Sequence, residues 1–534
     1  MEAAGGELQW WQRAVFYEIT PVSFQDSNGD GKGDLPGLIA RIDYLEWLGI
    51  EAVWLTPFYR SPMLDLGYDI SDFCGVDGLF GNMEDFDRLL ALLHQRDIRL
   101  ILDFVPNHTS DQHPWFQESR SSRVNPKRSW YVWADGGPDG APPNNWLSRF
   151  GGSAWRWDDS TGQYYYHSFL AEQPDLNWRN TEVRRAMADV LRFWLRRGVD
   201  GFRVDASAVL IEDELLRDDP PNPTATSKTP PPQRLKRVFT DDRRESMECL
   251  EDLRQVLDAF PDRVLAGEVQ GKTDRIGHFY GGERPRFHLP LNFVLLDGPW
   301  DALSLQANID AYLNAIPRTA WPDWVIGGHD KRRVASKIGQ AQARILAMLL
   351  LTLPGTPFLF AGDELGMEEV PIPRDRIQDP FEKLLPGYGL NRDPQRTPMQ
   401  WDPSHAAGFT EGNPWLPVGR NFADRNVTRL QADTRSVLWL YRRLIELRRR
   451  EPTLTRGEYV PLKSQHGVLS YKRVWAGREM LVALNLMADP RRLGHDTAGR
   501  LCLSTYLDRP DEIGVEDRFL LRGDEGVMIT RAKC

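Results

Sequence analysis

The chain has 534 residues, 41% of them hydrophobic, so it can form large cores and more than one structural unit. Its net charge is −10, which makes a polyanion such as nucleic acid an unfavourable partner for the chain as a whole. Aromatic residues make up 11% and include 19 Trp. They suit neutral ligands with flat apolar faces, and they are also ordinary core residues.

The cysteines, the N-terminus and the apolar runs indicate in which cellular compartment the protein is expected. Cys74, Cys249, Cys502 and Cys534 lie far apart and form no CxxC pair, so we expect reduced thiols. The N-terminus lacks a basic stretch followed by an apolar one, so no secretory signal is expected. The longest apolar run, residues 345–351, is far shorter than the roughly 20 residues that span a bilayer. We therefore predict a cytoplasmic protein without a membrane segment.

Short apolar runs alternate with amphipathic segments along most of the chain, which favours a parallel α/β sheet covered on both faces. Eight strand–helix units are the number that closes a TIM barrel, and no GxGxxG loop supports an open doubly wound sheet. The predicted strands are Ala14–Phe24, Ala52–Phe58, Arg99–Val105, Gly201–Ala206, Arg263–Val269, His288–Phe293, Trp324–Gly328 and Pro357–Ala361. The predicted helices are Leu35–Leu48, Met83–Gln95, Thr181–Arg197, Glu248–Phe260, Leu303–Ile316, Gln340–Leu353 and Arg435–Arg449.

Three segments interrupt this rhythm. Residues 106–177, after the third strand, form too long an excursion for a structureless loop, so we predict a subdomain. Residues 218–234 contain DDPPNP and TPPPQR, which favour extended and mobile backbone. From residue 456 onward, short strands separated by turn residues predict a C-terminal antiparallel, sandwich-like β-domain over 456–534. The barrel would then comprise residues 1–105 and 178–455.

Three carboxylates stand at or just after the ends of predicted strands: Asp205, Glu268 and Asp330. An acid placed directly after an apolar strand is costly to bury unless it is paired or functional. A helix N-cap or a salt bridge would explain any one of them. Three from separate strands, two with Arg203 or His329 nearby, favour a catalytic site at the C-terminal face of the barrel.

At these positions the sequence resembles the α-amylase superfamily, family 13 of the glycoside hydrolases. Asp103–His108, Gly201–Asp205, Gly267–Glu268 and His329–Asp330 are similar to its four signature regions and occur in the same order. Gln173-Pro-Asp-Leu-Asn177 resembles the fifth region of its oligo-1,6-glucosidase and α-glucosidase branch. Further matching stretches are Trp10-Trp11, Asp26–Gly31, Gly67–Ile70, Gly362–Gly366 and Arg396–Trp401.

The resemblance implies a retaining mechanism, in which Asp205 is the nucleophile and Glu268 the general acid and then the base. Arg203 lies two residues before Asp205, so both side chains face the same side of the strand, and its charge is expected to keep Asp205 ionised. Burial of Glu268 would raise its pKa and keep it protonated. Asp330 would bind sugar hydroxyls and favour ring distortion.

The resemblance also implies a glucose pocket. Asp65 would pair with Arg392 and seal the pocket over the non-reducing glucose, and Tyr68 would stack beneath the sugar. The remaining expected contacts are hydrogen bonds from His108 and His329 and a narrowing of the entrance by Phe150 and Phe169. A solvated loop charge or an ordinary core residue is the alternative for each of these positions alone.

A metal site is expected near the N-terminus. Asp26, Asn28, Asp30 and Asp34 place oxygen donors at alternate positions, and Lys32 would contribute its carbonyl. The twelfth position is glycine rather than Glu, so the stretch is not an EF-hand. Related enzymes carry a structural Ca²⁺ at this place; a turn rich in Asx residues is the alternative.

Two departures bear on specificity. Gly328 stands where the family usually has Asn before His-Asp. Ala206 follows the nucleophile, and in this branch Ala there accompanies α-1,4 preference while Val accompanies α-1,6 preference. The proline-rich segment after the fourth strand resembles that of glucosyl-transferring α-glucosidases.

The sequence therefore predicts an exo-acting retaining α-glucosidase for short α-glucosides, α-1,4 or sucrose-type in preference to α-1,6, working as a monomer or homodimer. The nearest alternative is a transglucosylase or sucrose isomerase on the same fold. A remote alternative is a non-catalytic heavy chain of an amino-acid transporter, but such relatives need a membrane segment and tolerate loss of the three acids. No nucleic-acid or membrane partner and no organic cofactor are expected.

Overall fold

The computed structural model describes residues 7–269, 273–494, 497–509, 514–515 and 519–530. Eight strands form one sheet in which every pairing is parallel. In chain order β1 to β8 they are Phe16–Ile19, Ala52–Leu55, Arg99–Phe104, Gly201–Val204, Val264–Glu268, Leu289–Leu291, Asp323–Val325 and Thr356–Phe360. Each lies within one residue of its predicted run.

The sheet closes into a nearly complete barrel. Its first strand, β1, pairs with β8, so the two ends of the series meet. Between β6 and β7 the Val325 N–H donates to the Asn292 carbonyl at 3.1 Å. The predicted TIM (β/α)8 barrel is therefore confirmed, together with its C-terminal antiparallel sheet.

Alternation along the strands sorts the barrel interior into an apolar end and a polar end. Phe16, Ile101 and Val264 belong to an apolar cluster inside the sheet. Side chains two or four residues further on point the same way, and these are Glu18, Asp103 and Glu268. Polar groups consequently collect at the C-terminal ends of the strands.

Helices cover the outer face of the sheet. The predicted helix Leu35–Leu48 is divided at Arg41, where φ is −111° and ψ is 8°. The α-helices are Trp10–Arg13, Leu35–Ala40, Ile42–Leu48, Met83–His94, Pro114–Ser121, Thr181–Arg197, Arg244–Asp258, Thr273–Tyr280, Val294–Asp297, Ala302–Ala315, Val334–Ile338, Gln340–Thr352, Pro380–Leu384, Val427–Ala432, Val437–Arg450 and Pro452–Arg456.

The segment inserted after β3 has its own sheet and core. Strands Trp133–Ala134 and Trp155–Asp158 flank Gln163–Tyr166 in antiparallel pairing. Trp146 and Trp155 are buried against Tyr166 in a separate apolar cluster. A second hairpin, Tyr59–Arg60 with Asp72–Val76, follows β2.

The proline-rich segment 218–234 is hydrogen-bonded within itself and to the inserted subdomain, and its mobility stays a prediction. Asn222 N–H donates to the Arg234 carbonyl at 2.8 Å, and Pro221 forms a bridge with Leu235. At its start, Asn145 of the inserted subdomain exchanges hydrogen bonds with Asp219, at 2.8 and 2.9 Å. Proline removes backbone donors, but carbonyls and flanking polar side chains supply the contacts.

The C-terminal part forms a six-stranded antiparallel sheet in the order β9-β10-β11-β14-β12-β13. Its strands β9 to β14 are Glu458–Pro461, Val468–Trp475, Arg478–Asn485, Gly499–Ser504, Gly514–Val515 and Gly526–Thr530. A two-stranded sheet, Arg491–Arg492 with Leu520–Leu521, contributes Leu521 to the same apolar cluster as Leu481 and Val527. The antiparallel sheet is the one predicted for the C-terminal part, and the bounds 456–534 and the sandwich-like form stay predictions.

The prediction of four reduced thiols is wrong at one position. Cys74 and Cys249 are free, but Cys502 takes part in a disulfide. Cys534 lies outside the described residues. Sequence spacing shows no such pairing because folding, not proximity in the chain, brings cysteines together. Among the helices of the described residues, none is long and apolar enough to cross a membrane.

Candidate active site

One guanidinium joins three carboxylates at the polar end of the barrel. Arg203 contacts Asp103 at 2.9 Å, Asp205 at 2.6 Å and Glu268 at 2.9 Å. Asp103 and Arg203 are direct neighbours in the register of β3 and β4, and Glu268 ends β5. The backbone therefore brings the two predicted catalytic acids to one side of the barrel mouth, around a buried cation.

Ala206 completes this corner of the site. It has φ +47°, the left-handed region, which turns the chain sharply after Asp205. Its N–H donates to Glu268 Oε2 at 3.3 Å. The residue next to the predicted nucleophile thus also orients the predicted acid.

Asp330 is held by two arginines from the segment after β8. Arg396 donates to its carboxylate, and Arg392 contacts it at 3.4 Å. Arg396 also donates from Nε to the His329 carbonyl at 2.9 Å, so it fixes the backbone at this point. Sequence reasoning quoted the motif that begins with Arg396 but gave this side chain no role.

The predicted pair that closes the pocket is present. Arg392 Nη2 lies 2.9 Å from Asp65 Oδ1, and both side chains are buried. Asp379 was missed: it also binds Arg392, at 2.8 Å. Gln173 donates to Asp65 at 3.2 Å. A buried arginine with carboxylates on two sides is rigid and already neutralised.

Tyr68 and His329 form a stacked pair under the cavity. Their ring centroids are 5.5 Å apart, and the Tyr68 hydroxyl donates to Asp103 Oδ2 at 2.9 Å. His329 reaches that hydroxyl with Nε2 and Glu18 with Nδ1. Although burial opposes it, Asp330 and Glu18 raise the pKa of His329, which suits donation from both nitrogens. His329 accordingly supports Tyr68 and Asp330 from below.

His108 offers one nitrogen to the site. Its Nε2 is within 3.1 Å of Gln173 Nε2, while its buried Nδ1 has no hydrogen-bond partner in the described structure. Burial lowers its pKa to about 4, so the ring is neutral near pH 7. The His108 ring lines the cavity, where a neutral imidazole suits a ligand hydroxyl.

The two predicted aromatics stand beside the arginine. Phe150 is 2% exposed, and its ring centroid lies 4.2 Å from that of Phe381. Arg392 lies over both rings. Phe169 contacts His108, with ring centroids 5.1 Å apart. Phe381 was not predicted, because it comes from a short helix far along the chain.

A cavity of about 260 Å³ unites these groups. Arg203 and His329 lie behind its wall rather than in it. The predicted residues that line it are Asp65, Tyr68, His108, Phe150, Phe169, Asp205, Glu268, Asp330 and Arg392. The lining residues that sequence reasoning missed include Arg149, Arg237, Asp241, Asp242, Phe381 and two prolines of the 218–234 segment, Pro230 and Pro232.

The pKa of Asp205 differs from the sequence prediction, which expected the charge of Arg203 to keep this carboxyl ionised. Burial raises the pKa of Asp205, and Glu268 and Asp103 add to that rise while Arg203 opposes it. One guanidinium faces three carboxylates, so Arg203 offsets the effect of burial on Asp205 only in part. Burial likewise opposes ionisation at Asp330, but His329, Arg392 and Arg396 hold its pKa below the usual range.

Buried histidines make stability depend on acidity. Burial lowers the pKa of His108, His113 and His167 to about 4 and that of His288 to about 3. Unfolded histidine titrates near 6.5, so between about pH 6.5 and 4 the unfolded chain binds more protons. The free energy of unfolding then falls on acidification, by up to about 1.4 kcal/mol per pH unit for each group.

We therefore expect the melting temperature to drop as the pH falls from about 6.5 to about 4. His288→Gln should make that drop shallower, because glutamine can still accept the Leu265 N–H that His288 accepts at 3.0 Å. His405→Gln, at an exposed position, is the matched control. Identical pH profiles for the two variants would contradict the assignment to buried histidines.

The predicted metal loop forms a series of Asx turns. Asp26 accepts three backbone N–H groups and the Thr410 hydroxyl. Asn28 accepts the Asp30 N–H at 2.9 Å, and Asp30 accepts the Lys32 N–H at 2.8 Å. In the part of the chain that the structure describes, no group of three or more His, Cys, Asp or Glu is arranged to hold a metal ion.

Asp34 ends this loop and begins the next helix. It caps that helix by accepting the Gly37 N–H at 2.6 Å. Burial raises its pKa, and the charge of Asp26 contributes. No ion pair among the described residues reaches Asp26, Asp30 or Asp34.

Comparisons with known proteins agree with this architecture. Residues 18–457 match the family described as "Alpha amylase, catalytic domain". A probable α-glucosidase of Rhizobium meliloti (strain 1021) is 41% identical over 499 residues, covering 90% of each chain. The crystal structure of an α-glucosyl transfer enzyme, XgtA, is 40% identical with a TM-score of 0.91, covering 98% of this chain and 100% of its own. The trehalulose synthase MutB of Pseudomonas mesoacidophila MX-45 is 35% identical with a TM-score of 0.88, at the same coverage.

A barrel with paired carboxylates at its C-terminal mouth, beside a cavity with charged and aromatic walls, defines a glycoside hydrolase. The chain belongs to the α-amylase family, family 13 of these enzymes.

Proposed function

We propose that the chain is an exo-acting, retaining α-glucosidase that releases glucose from the non-reducing end of short α-glucosides. Asp205 attacks the anomeric carbon as Glu268 protonates the leaving oxygen, which forms a covalent glucosyl-enzyme. Glu268 then takes a proton from water, which attacks and releases glucose. The position of both acids on Arg203, at one side of the barrel mouth, supports their joint action.

The observation that carries the proposal is the closed end of the cavity. Asp65, Arg392 and Asp379 form a buried ion cluster beside the cavity, which we expect to stop a glucan from extending beyond one terminal sugar. This supports exo-action on short substrates over internal cleavage of starch. Asp330 and His108 line the same space and suit hydroxyl groups.

Ala206 supports a preference for α-1,4 or sucrose-type bonds over α-1,6. It lines the cavity next to Asp205 at φ +47°, where a β-branched residue would be strained. Gly328 leaves space: a Cβ there would lie 3.4 Å from Glu18 Oε2, an ordinary contact. The missing Asn side chain therefore removes a polar partner without disturbing the carboxylates.

The direct test is release of nitrophenol from p-nitrophenyl α-glucoside, followed by product analysis with maltose, sucrose and isomaltose. We expect hydrolysis in the first assay and faster turnover of maltose or sucrose than of isomaltose. Absence of nitrophenol release by folded protein would reject the proposal.

A second candidate is glucosyl transfer or sucrose isomerisation on the same fold. Pro230 and Pro232 of the anchored segment after β4 line the cavity, so this loop borders the place where water or another hydroxyl enters. The similarity to XgtA and MutB also favours it. New linkages among the products from sucrose or maltose would establish transfer; glucose with fructose, or glucose alone, would establish hydrolysis.

The transporter heavy-chain alternative is not favoured. All three acids are present and meet at one cavity, which a purely binding protein would not require. The predicted cytoplasmic location loses the support of four reduced thiols, because Cys502 forms a disulfide. That location and the monomeric or dimeric state stay predictions.

Asp65→Asn tests the sealed pocket. The substitution keeps the shape but weakens the bond to Arg392, which Asp379 still neutralises, so the fold should survive. We expect KM for maltose to rise about 10- to 100-fold, as for loss of a hydrogen bond to a charged group, with a smaller change in kcat. Asp72→Asn, at a surface pair with Arg60, is the control. An unchanged KM would argue against the seal.

We further propose that the Asp26–Asp34 loop holds a structural Ca²⁺. Its donors are the oxygens that hard cations prefer, and the three carboxylates lack another cation within the described chain. The ion would be held by Asp26, Asn28, Asp30, Asp34 and the Lys32 carbonyl. Bound there, it would neutralise the loop and fix the start of the following helix.

Chelation of the metal should therefore lower the thermal stability of the protein rather than its catalytic rate. With EDTA we expect a lower melting temperature that added Ca²⁺ restores. Asp30→Asn, at the exposed side of the loop, should weaken the response to Ca²⁺. An identical melting temperature with and without EDTA would count against the site.

A further inference from the structure

The segment that follows β4 brings an arginine to the catalytic cavity. Gln233 and Arg237 line the cavity together with Pro230 and Pro232. Since Asp65 and Arg392 close the end assigned to glucose, residues of this segment face the part of a substrate beyond the glucose. That part is the leaving group in the first step and the acceptor in the second.

The other arginines of the cavity are neutralised. Arg149 donates two hydrogen bonds to Asp241, each at 2.9 Å. Arg392 is shared among carboxylates, as described above. The neighbouring acid Asp242 is paired with Arg275. Asp241 and Asp219 lie near enough to act on the charge of Arg237, but neither forms a hydrogen bond or an ion pair with it in the described structure.

Arg237 is the exception. Its side chain makes no hydrogen bond or ion pair with any residue that the structure describes, and its Nη2 is fully buried without a partner. Burial and the nearby charge of Arg149 both lower its pKa, although a guanidinium stays protonated at neutral pH. The charges of Asp241 and Asp219 oppose this lowering without direct contact, so the desolvated guanidinium still has unused hydrogen-bonding capacity for an anionic ligand.

The backbone on both sides of Arg237 is fixed. Lys236 N–H donates to the Pro220 carbonyl at 2.8 Å. The N–H groups of Val238 and Phe239 donate to Asp219 Oδ1, each at 3.0 Å. The backbone that carries Arg237 is therefore held in place, which reduces the backbone entropy lost on binding.

We propose that Arg237 recognises an anionic group, such as a carboxylate, on the leaving group or acceptor that lies beyond the transferred glucose. This inference rests on the proposed function, since it assigns specificity to the same cavity. A guanidinium binds carboxylate through two parallel hydrogen bonds, and such charge-assisted bonds are the strong ones. Neutral leaving groups would be accepted, with Arg237 unsatisfied.

Two matched substrates test the inference: 4-carboxyphenyl α-glucoside and 4-carbamoylphenyl α-glucoside, which have nearly the same shape but differ in charge. The measured quantity is the ratio of their kcat/KM values, carboxyl over carbamoyl. We expect Arg237→Gln to lower this ratio about tenfold, the value of one charge-assisted hydrogen bond. Comparing ratios cancels any effect of the substitution on glucose binding or bond breaking.

Controls separate charge from folding. Arg237→Lys keeps the positive charge but cannot form the two parallel hydrogen bonds of a guanidinium. It should therefore give a carboxyl-to-carbamoyl ratio between those of the unaltered enzyme and Arg237→Gln. Arg234→Gln is the matched control, because Arg234 is exposed on the same segment and donates to the Thr229 carbonyl instead of lining the cavity. Its ratio should equal that of the unaltered enzyme. Higher ionic strength should lower the unaltered enzyme's ratio by screening.

Two results would overturn the inference. If Arg237→Gln and Arg234→Gln give the same ratio while both substrates are hydrolysed, Arg237 does not distinguish a charged leaving group from a neutral one. The α-glucosidase proposal would then still stand. If the unaltered enzyme hydrolyses neither these glucosides nor p-nitrophenyl α-glucoside, both proposals fail together.

Discussion

Asp205→Asn should abolish glucosidase activity while leaving the fold intact. The amide keeps the volume and can still contact Arg203, which retains Asp103 and Glu268 as partners. It cannot form the covalent glucosyl intermediate, so we expect kcat to fall by at least about 10⁴-fold, as when other enzymes lose a nucleophile. Activity with maltose and p-nitrophenyl α-glucoside, together with the melting temperature, measures the effect.

Removing this carboxylate also relieves repulsion around Arg203. The site then has one buried negative charge fewer, so stability should be unchanged or slightly higher. Asp189→Asn is the control, because that aspartate is exposed and forms only a surface pair with Arg192. Asp205→Ala with added azide should form β-glucosyl azide, since a small anion can attack from the vacated side. Substantial glucose release by Asp205→Asn would show that another group is the nucleophile.

The site residues that follow the two-residue alternation of a β-strand were predictable from the sequence. A parallel strand with an apolar residue at one position places the residue two further along on the same inner face, nearer the C-terminal end. Arg203 follows that rule on β4, and Asp103 follows it on β3 after Ile101. Asp103 was within reach of the same reasoning, although sequence analysis assigned it no role.

The parts of the site that depend on distant loops were not predictable. Asp379, which binds Arg392 at 2.8 Å, lies far along the chain from the strands that carry Asp205 and Glu268. Arg237 follows a proline-rich stretch whose hydrogen bonds to the inserted subdomain set its position. No local period encodes such contacts, because they depend on how separate loops meet over the barrel.

Glu268→Gln should separate the chemistry of the leaving group from that of sugar binding. A general acid raises the reaction rate by about 10²- to 10⁴-fold, but only where the leaving oxygen needs a proton. We expect kcat/KM for maltose to fall by about 10³-fold, and that for p-nitrophenyl α-glucoside to fall much less, because nitrophenolate leaves without full protonation.

The pH dependence of the same variant gives a second, independent readout. In the unaltered enzyme we expect the alkaline limb of the kcat/KM profile to report loss of the proton of Glu268, the proposed general acid. Glutamine cannot lose that proton, so the alkaline limb should disappear while the acid limb, which reports ionisation of Asp205, remains. Glu248→Gln, on the exposed face of the helix Arg244–Asp258, is the control and should keep both limbs. Equal losses for the two substrates, with the alkaline limb unchanged, would place the general acid elsewhere.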